Sequence, residues 1–124
     1  MDRLGKALLV EDEALVAMVS EDILAAIGFE PVCVETGGEA LAALADHQFS
    51  LAVIDIGLPD MRGDQLADQL RQQLPDLPIV VASGYDPTDM ARRFAGDRAV
   101  AVLCKPYTER DLRAAIASVG LTPA

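Results

Sequence analysis

Three acids and a lysine stand where apolar runs stop. Leu51-Ala-Val-Ile runs into Asp55, Lys6-Ala-Leu-Leu-Val10 into Glu11-Asp12, and Val100-Ala-Val-Leu-Cys104 into Lys105-Pro106. If these runs are parallel strands, their carboxyl ends share one rim, the edge where open α/β sheets place ligands. Carboxylates about 4 Å apart repel by roughly 4 kcal/mol at an effective dielectric of 20, so an unpaired triad is costly. A divalent cation removes that cost. With no His or Cys nearby, the oxygen-only donor set favours Mg²⁺, which binds through few carboxylates, keeps several waters and leaves room for a phosphate oxygen. Lys105 then stands opposite as a mobile point charge. The hydroxyl of Ser83, after the run Ile79-Val-Val-Ala82, completes a pocket for phosphoryl oxygens. Such a rim suits phosphoryl transfer to a carboxylate, with Asp55 attacking in line. A carboxylate is already ionised at neutral pH, so no general base is required.

The elements that must hold these groups alternate along the chain. Residues 6 to 11 read as a strand, and Glu13 to Ile27 as an amphipathic helix with Leu15, Val19, Ile23 and Ile27 inward, closed by Gly28. Phe29 to Val34 is the next strand, broken by Gly37-Gly38, and Glu39 to Asp46 a short helix burying Ala40, Leu41 and Leu44. The strand ending at Asp55 cannot continue past Gly57 and Pro59. A helix from Asp64 to Leu74, a strand at 79 to 82, a weaker helix from Thr88 to Ala95, a strand at 100 to 104 and a helix from Thr108 to Val119 complete the pattern. Met90 and Phe94 are the only large anchors of the weak helix, and Thr108 with Asp111 resembles a capping pair. Five strands alternating with five helices over short connections imply parallel pairing with right-handed crossovers.

Composition bounds the function. The 124 residues make one domain with a real core, and 52% of them are hydrophobic with few aromatics. A net charge of −10 argues against direct nucleic-acid binding, which needs a basic surface. No run is long and apolar enough for a signal peptide or membrane span, so a cytoplasmic protein is expected. Cys33 and Cys104 lie in apolar runs without ligand spacing, and read as buried, reduced thiols. No linker and no output domain are read in residues 1–124, and His47 reads as a surface residue.

Glu11-Asp12, Asp55-Ile-Gly-Leu-Pro59, Ser83 and Lys105-Pro106, each at its strand end, together resemble the receiver domain of two-component response regulators over essentially the whole chain. The resemblance implies a flavodoxin-like doubly wound (βα)5 fold, a five-stranded parallel sheet of order 2-1-3-4-5 with helices on both faces. It implies that Asp55 is the phospho-acceptor, that Asp12, Asp55 and the Gly57 carbonyl bind Mg²⁺ directly, and that Glu11 does so through water. Lys105 would pair with the phosphoryl group, Ser83 would be the switch hydroxyl, and the Lys105-Pro106 bond would be cis. The donor would be a histidine kinase or histidine phosphotransfer protein, and the output a change in protein binding. Self-phosphorylation and autodephosphorylation are the only turnover implied.

One departure concerns the switch aromatic. Many receivers carry Tyr or Phe three residues before the lysine, where this chain has Val102. Ala82-Ser83-Gly84-Tyr85 and Lys105-Pro106-Tyr107 are instead similar to the FAT-GUY receivers, many of them stand-alone, although Val81 and Ser83 replace that motif's Phe and Thr. Tyr85 is the candidate reporter. Tyr85 and Tyr107 read equally well as packing aromatics; for Ser83 an ordinary turn residue is the lesser alternative to the switch hydroxyl. Basic residues outnumber acidic ones between Arg92 and Arg113, which reads as helix-face pairing (Asp89 with Arg93, Glu109 with Arg113) or as a partner or dimer surface on the last two helices. Two other classes compete with the switch: a phosphorylation-independent receiver-like scaffold and a Mg²⁺-dependent phosphatase-type enzyme. The latter wants an Asp-x-Asp pair, and Asp55-Ile56-Gly57 lacks the second acid.

Overall fold

A computed structural model of the chain describes residues 4–84 and 88–121. Strands β1 (Gly5–Val10), β2 (Phe29–Val34), β3 (Phe49–Asp55), β4 (Ile79–Ser83) and β5 (Val100–Cys104) alternate with helices α1 (Ala14–Ile27), α2 (Gly37–Ala43), α3 (Gly63–Gln73), α4 (Thr88–Arg93) and α5 (Glu109–Ser118). The strands form one parallel sheet in the order β2-β1-β3-β4-β5. This is the expected doubly wound arrangement, with the order turning back at β1 and β3.

The pleat divides the core into two layers. Ala7 and Leu9 of β1, Leu51 and Val53 of β3 and Val80 of β4 pack against Leu24 and Ile27 of α1 and Leu112, Ala115 and Ile116 of α5. Their alternates Leu8, Val10, Ala52, Ile54, Ile79 and Val81 pack against Ala40 of α2 and Leu66, Ala67 and Leu70 of α3. β1, β3 and β4 are thus covered on both faces, which is why they read as unbroken apolar runs. Each fully buried Leu, Ile or Val contributes about 1.5–3 kcal/mol.

The helices depart from their expected faces and ends in instructive ways. In α1 the buried positions are Ala17, Ser20, Leu24 and Ile27, whereas Leu15 is 78% and Val19 59% exposed. Small residues let the helix sit close to the sheet, and Ser20 is spent on a hydrogen bond to Tyr107, so the inward face is rotated away from Leu15 and Val19. α2 starts at Gly37, not Glu39, because Thr36 caps it by accepting from the Glu39 N–H at 3.0 Å. A side chain at Gly37 would collide with Met61, since its Cβ would lie 2.5 Å from the Met61 sulfur. The capping pair of α5 is present: Thr108 Oγ1 accepts from the Asp111 N–H at 3.1 Å, and Asp111 accepts from the Thr108 N–H at 3.0 Å.

α4 ends at Arg93, two residues before the expected Ala95, and has no buried residue; Met90 and Phe94 are half-buried. Its Arg93 pairs with Asp64 and Asp68 of α3, not with Asp89, while Glu109 and Arg113 pair at 3.0 Å as expected. Both cysteines are free, but Cys33 is half-buried and Cys104 exposed, so the expectation of two buried thiols fails at the edge strand β5. Burial pushes the Cys33 thiol up to about 11. His47 is half-buried, 5.6 Å from the Phe49 ring, with Nδ1 3.0 Å from the Lys6 ammonium.

Candidate functional site

The strand alternation that builds the core also aims the charged groups. Ala7 and Leu9, Leu51 and Val53, and Ala101 and Leu103 all face the layer formed by α1 and α5. Two residues on from each pair come Glu11, Asp55 and Lys105, which therefore point to the same side where the pleat runs out. The register pairs Leu9 with Val53 and Val10 with Ile54, so Glu11 arrives beside Asp55. Ser83 follows the opposite alternation, after Ile79 and Val81, and comes in from the layer formed by α2 and α3.

The Lys105 ammonium lies 3.1 Å from Glu11 Oε2 and 3.2 Å from Asp55 Oδ1. Asp55 is 8% and Glu11 4% exposed, so two buried carboxylates share one cation. The other Glu11 oxygen accepts from the Glu13 N–H at 3.1 Å. Burial pushes the Glu11 carboxyl above its ordinary value, against the opposite pull of the Glu13 N–H and Lys105. Burial by itself would lower the Lys105 ammonium, but its hydrogen bonds to Glu11 and Asp55 carry it above its ordinary value. The site is thus built to hold positive charge.

Carboxylate oxygens of Glu11, Asp12 and Asp55 all lie within 4.8 Å of one another. Two of these acids are buried and Asp12 is exposed, with no nitrogen or sulfur donor in the group. That donor set fits a hard divalent cation approached from solvent through Asp12. Gly57 adjoins the cluster: a Cβ there would lie 3.8 Å from Asp55 Oδ2. A cleft of about 670 Å³ opens over Asp55 and Gly57, lined also by Arg62, Ser83 and Lys105 among others.

The loop after Asp55 is pinned by residues the sequence reading passed over. Asp60 accepts from the N–H groups of Gly37 and Gly38, both at 2.9 Å, which holds its carboxyl below the ordinary range. Gly57 and Arg62 bridge the loop across its neck, and the Gly63 N–H donates to the Ile56 carbonyl at 2.9 Å. Asp64, 6% exposed, holds Arg62 at 3.0 Å and Arg93 at 3.1 Å. Only two signals in the sequence pointed here: a glycine directly before a helix, and an arginine where a capping side chain belongs.

Of the remaining expected positions, the Lys105-Pro106 bond is cis and Pro106 is exposed. Tyr107 lies away from the cleft, its hydroxyl 2.8 Å from Ser20 Oγ, and burial pushes its phenol above the ordinary value. Its ring packs against the core layer formed by α1 and α5. Tyr85 lies outside the described residues. No helix among the described residues is long and apolar enough to cross a membrane.

The family model for response regulator receiver domains matches residues 7–117. The response regulator protein FleR of Pseudomonas aeruginosa is 35% identical over 108 residues, covering 87% of this chain and 23% of its own length. The sensor histidine kinase AruS of the same organism is 35% identical over 119 residues, covering 93% of this chain and 12% of its own. The chain thus spans less than a quarter of either curated relative. Among solved structures, a response regulator receiver domain protein (CheY-like) from Methanospirillum hungatei JF-1 superposes with a TM-score of 0.81 at 30% identity, covering 91% of this chain and 90% of that one.

Proposed function

From the premise that this chain belongs to the response regulator receiver domain family of two-component signalling, we propose that it is a phospho-accepting switch with Asp55 as acceptor. The observation that carries the reading is the buried Asp55 carboxylate, 3.2 Å from Lys105, on a rim shared with Glu11 and Asp12. In this reading an Asp55 oxygen attacks the phosphorus of a phosphohistidine or of acetyl phosphate. The bond from phosphorus to the donor nitrogen or oxygen breaks, and the donor leaves with that electron pair. Lys105 shifts from the two carboxylates onto a phosphoryl oxygen, Ser83 offers its hydroxyl to another, and the rigid loop 56–62 keeps the acceptor in line. Asp12, Asp55 and the Gly57 carbonyl would hold Mg²⁺, with Glu11 reaching it through water. When bound, the ion supplies positive charge to the carboxylates and to the transferring oxygens.

The donor is a histidine kinase or a histidine phosphotransfer protein. Its docking surface is the apolar face of α1, where Leu15, Met18 and Val19 are 78%, 62% and 59% exposed, beside a groove of about 520 Å³ that runs to Pro106 and Tyr107. Phosphorylation adds about −1.5 to −2 charge, by analogy with other phosphorylated side chains. Driving the switch from 1:99 to 99:1 takes roughly 5.5 kcal/mol, within reach of a few charge-assisted hydrogen bonds. α4, which buries no residue, is the element whose population shifts. The output partner, or a second copy, meets the face made by α4 and α5, where Arg92 and Arg110 are exposed.

Incubation with Mg²⁺ and acetyl phosphate tests the reading. An acid-stable, hydroxylamine-labile phosphate is expected on the wild type and not on Asp55→Asn. No incorporation, or equal incorporation in the variant, overturns it.

A further inference from the structure

We infer that Arg62 is a second phosphoryl-binding cation of this site, beyond Lys105. The inference deepens the proposed function and rests on Asp55 being the acceptor.

The residue breaks a local rule. Arg62 occupies the N-cap of α3, where a side-chain acceptor is favoured and a positive charge opposes the helix dipole. A guanidinium accepts no hydrogen bond, so the helix gains only the reverse contact, the Arg62 N–H donating to Gln65 Oε1 at 3.3 Å. A residue that costs its own helix stability and yet lines the cleft with Asp55, Gly57, Ser83 and Lys105 points to a role in the cleft.

Charge gives it the task. Asp12 stands beside Asp55, and Glu13 and Asp89 also line the cleft, while its described cations are Lys105 and Arg62 alone. Lys105 is already engaged by Glu11 and Asp55. A phosphate anion approaching this rim therefore meets more carboxylates than protein cations, and Arg62, its side chain 60% exposed and held by its pair with Asp64, can exchange that partner for the anion. Its planar fork matches phosphoryl oxygens. Asp64 holds the guanidinium from 3.0 Å, and the same carboxylate pairs with Arg93 in the last turn of α4. When Arg62 moves to the phosphoryl group, Asp64 is left to Arg93 alone, which ties the event at Asp55 to α4.

The test is the initial rate of phosphorylation by acetyl phosphate with Mg²⁺, measured across ionic strength, for the wild type, Arg62→Gln, Arg62→Met and Arg62→Lys, with thermal melts to establish folding. Loss of the charge should slow phosphorylation about five- to tenfold at low salt and flatten its salt dependence, with Arg62→Lys recovering most of the rate. A purely structural arginine would move the melting temperature but leave the salt dependence of the rate unchanged. Folded Arg62→Gln or Arg62→Met reacting like a normally phosphorylated wild type overturns the inference and leaves the proposed function standing. A wild type that takes up no phosphate overturns both.

Discussion

Gly63 presses its α-carbon against the strand that carries Asp55: a Cβ at position 63 would lie 2.2 Å from the Asp55 carbonyl oxygen and 2.8 Å from its carbonyl carbon. Backbone on both sides leaves nothing to swing aside. Gly63→Ala should therefore cost about 1–3 kcal/mol or more by overpacking. It should also slow phosphorylation of Asp55 in whatever fraction stays folded. Urea midpoints and acetyl phosphate rates check the two effects, and a midpoint equal to wild type would contradict the geometry.

Lys105 occupies the charge that a divalent ion would otherwise supply. Its side chain is 17% exposed and its ammonium lies within 3.2 Å of two carboxylates, so it competes with cation binding. Lys105→Ala should bind Mg²⁺ at least about tenfold more tightly while accepting a phosphoryl group more slowly, since unit charges a few ångströms apart interact by roughly 4 kcal/mol at an effective dielectric of 20. Amide-resonance titration gives the first quantity and acetyl phosphate kinetics the second. Unchanged or weaker Mg²⁺ affinity would show that the ammonium does not oppose the ion.

Asp60 makes part of the stability depend on pH. Its carboxyl is held below its ordinary value by the Gly37 and Gly38 N–H groups, so the folded state favours the ionised form. That contribution is present above the unfolded value near 3.8 and is lost as pH falls through the lower folded value. Asp60→Ala should thus be less stable than wild type at neutral pH, with the gap closing in acid. Melting temperatures compared from pH 7 downward give the answer; a gap that widens in acid would reverse the assignment.

Arg71 ties together the opposite edge of the sheet. Its guanidinium pairs with Asp97 at 2.8 Å and donates to the carbonyls of Leu77 at 2.6 Å, Pro75 at 3.1 Å, Leu74 at 3.2 Å and Ala99 at 3.4 Å. Arg71→Ala should cost about 2–4 kcal/mol by stranding these acceptors, and Arg71→Lys should recover little, since an ammonium cannot span them. Phosphorylation of the folded variant should be unaffected, because Arg71 lies at the edge of the sheet away from Asp55. Chemical denaturation beside a phosphorylation assay separates the two.

What the sequence made legible was the sheet and its rim. Apolar runs ending in Glu11, Asp55 and Lys105 fixed both the strands and the side on which they deliver charge, because a strand's alternation is local and strict; Ser83 ends its own run on the opposite alternation. The face of α1 was not legible. Leu15 and Val19 are as apolar as Leu24 and Ile27, and what decides between them is the small size of Ala17 and the engagement of Ser20 with Tyr107, 87 residues away. The same holds for Asp60, whose partners lie 22 and 23 residues back in α2, and for Arg93, which prefers the buried Asp64 to the nearby Asp89. Each of these contacts depends on where two elements meet in space, which no local pattern encodes.

Glu11, Asp55 and Lys105 converge because each sits an even number of residues beyond a core position on its own strand. Gaining or losing a single codon within β1, β3 or β5 would reverse that parity and turn the reactive group to the far face of the sheet, a harsher change than most substitutions. Drift in chain length is therefore expected at the opposite end of the domain, in the turns that lead into the strands, while the spacing from core to reactive group stays fixed in descendants that keep the chemistry.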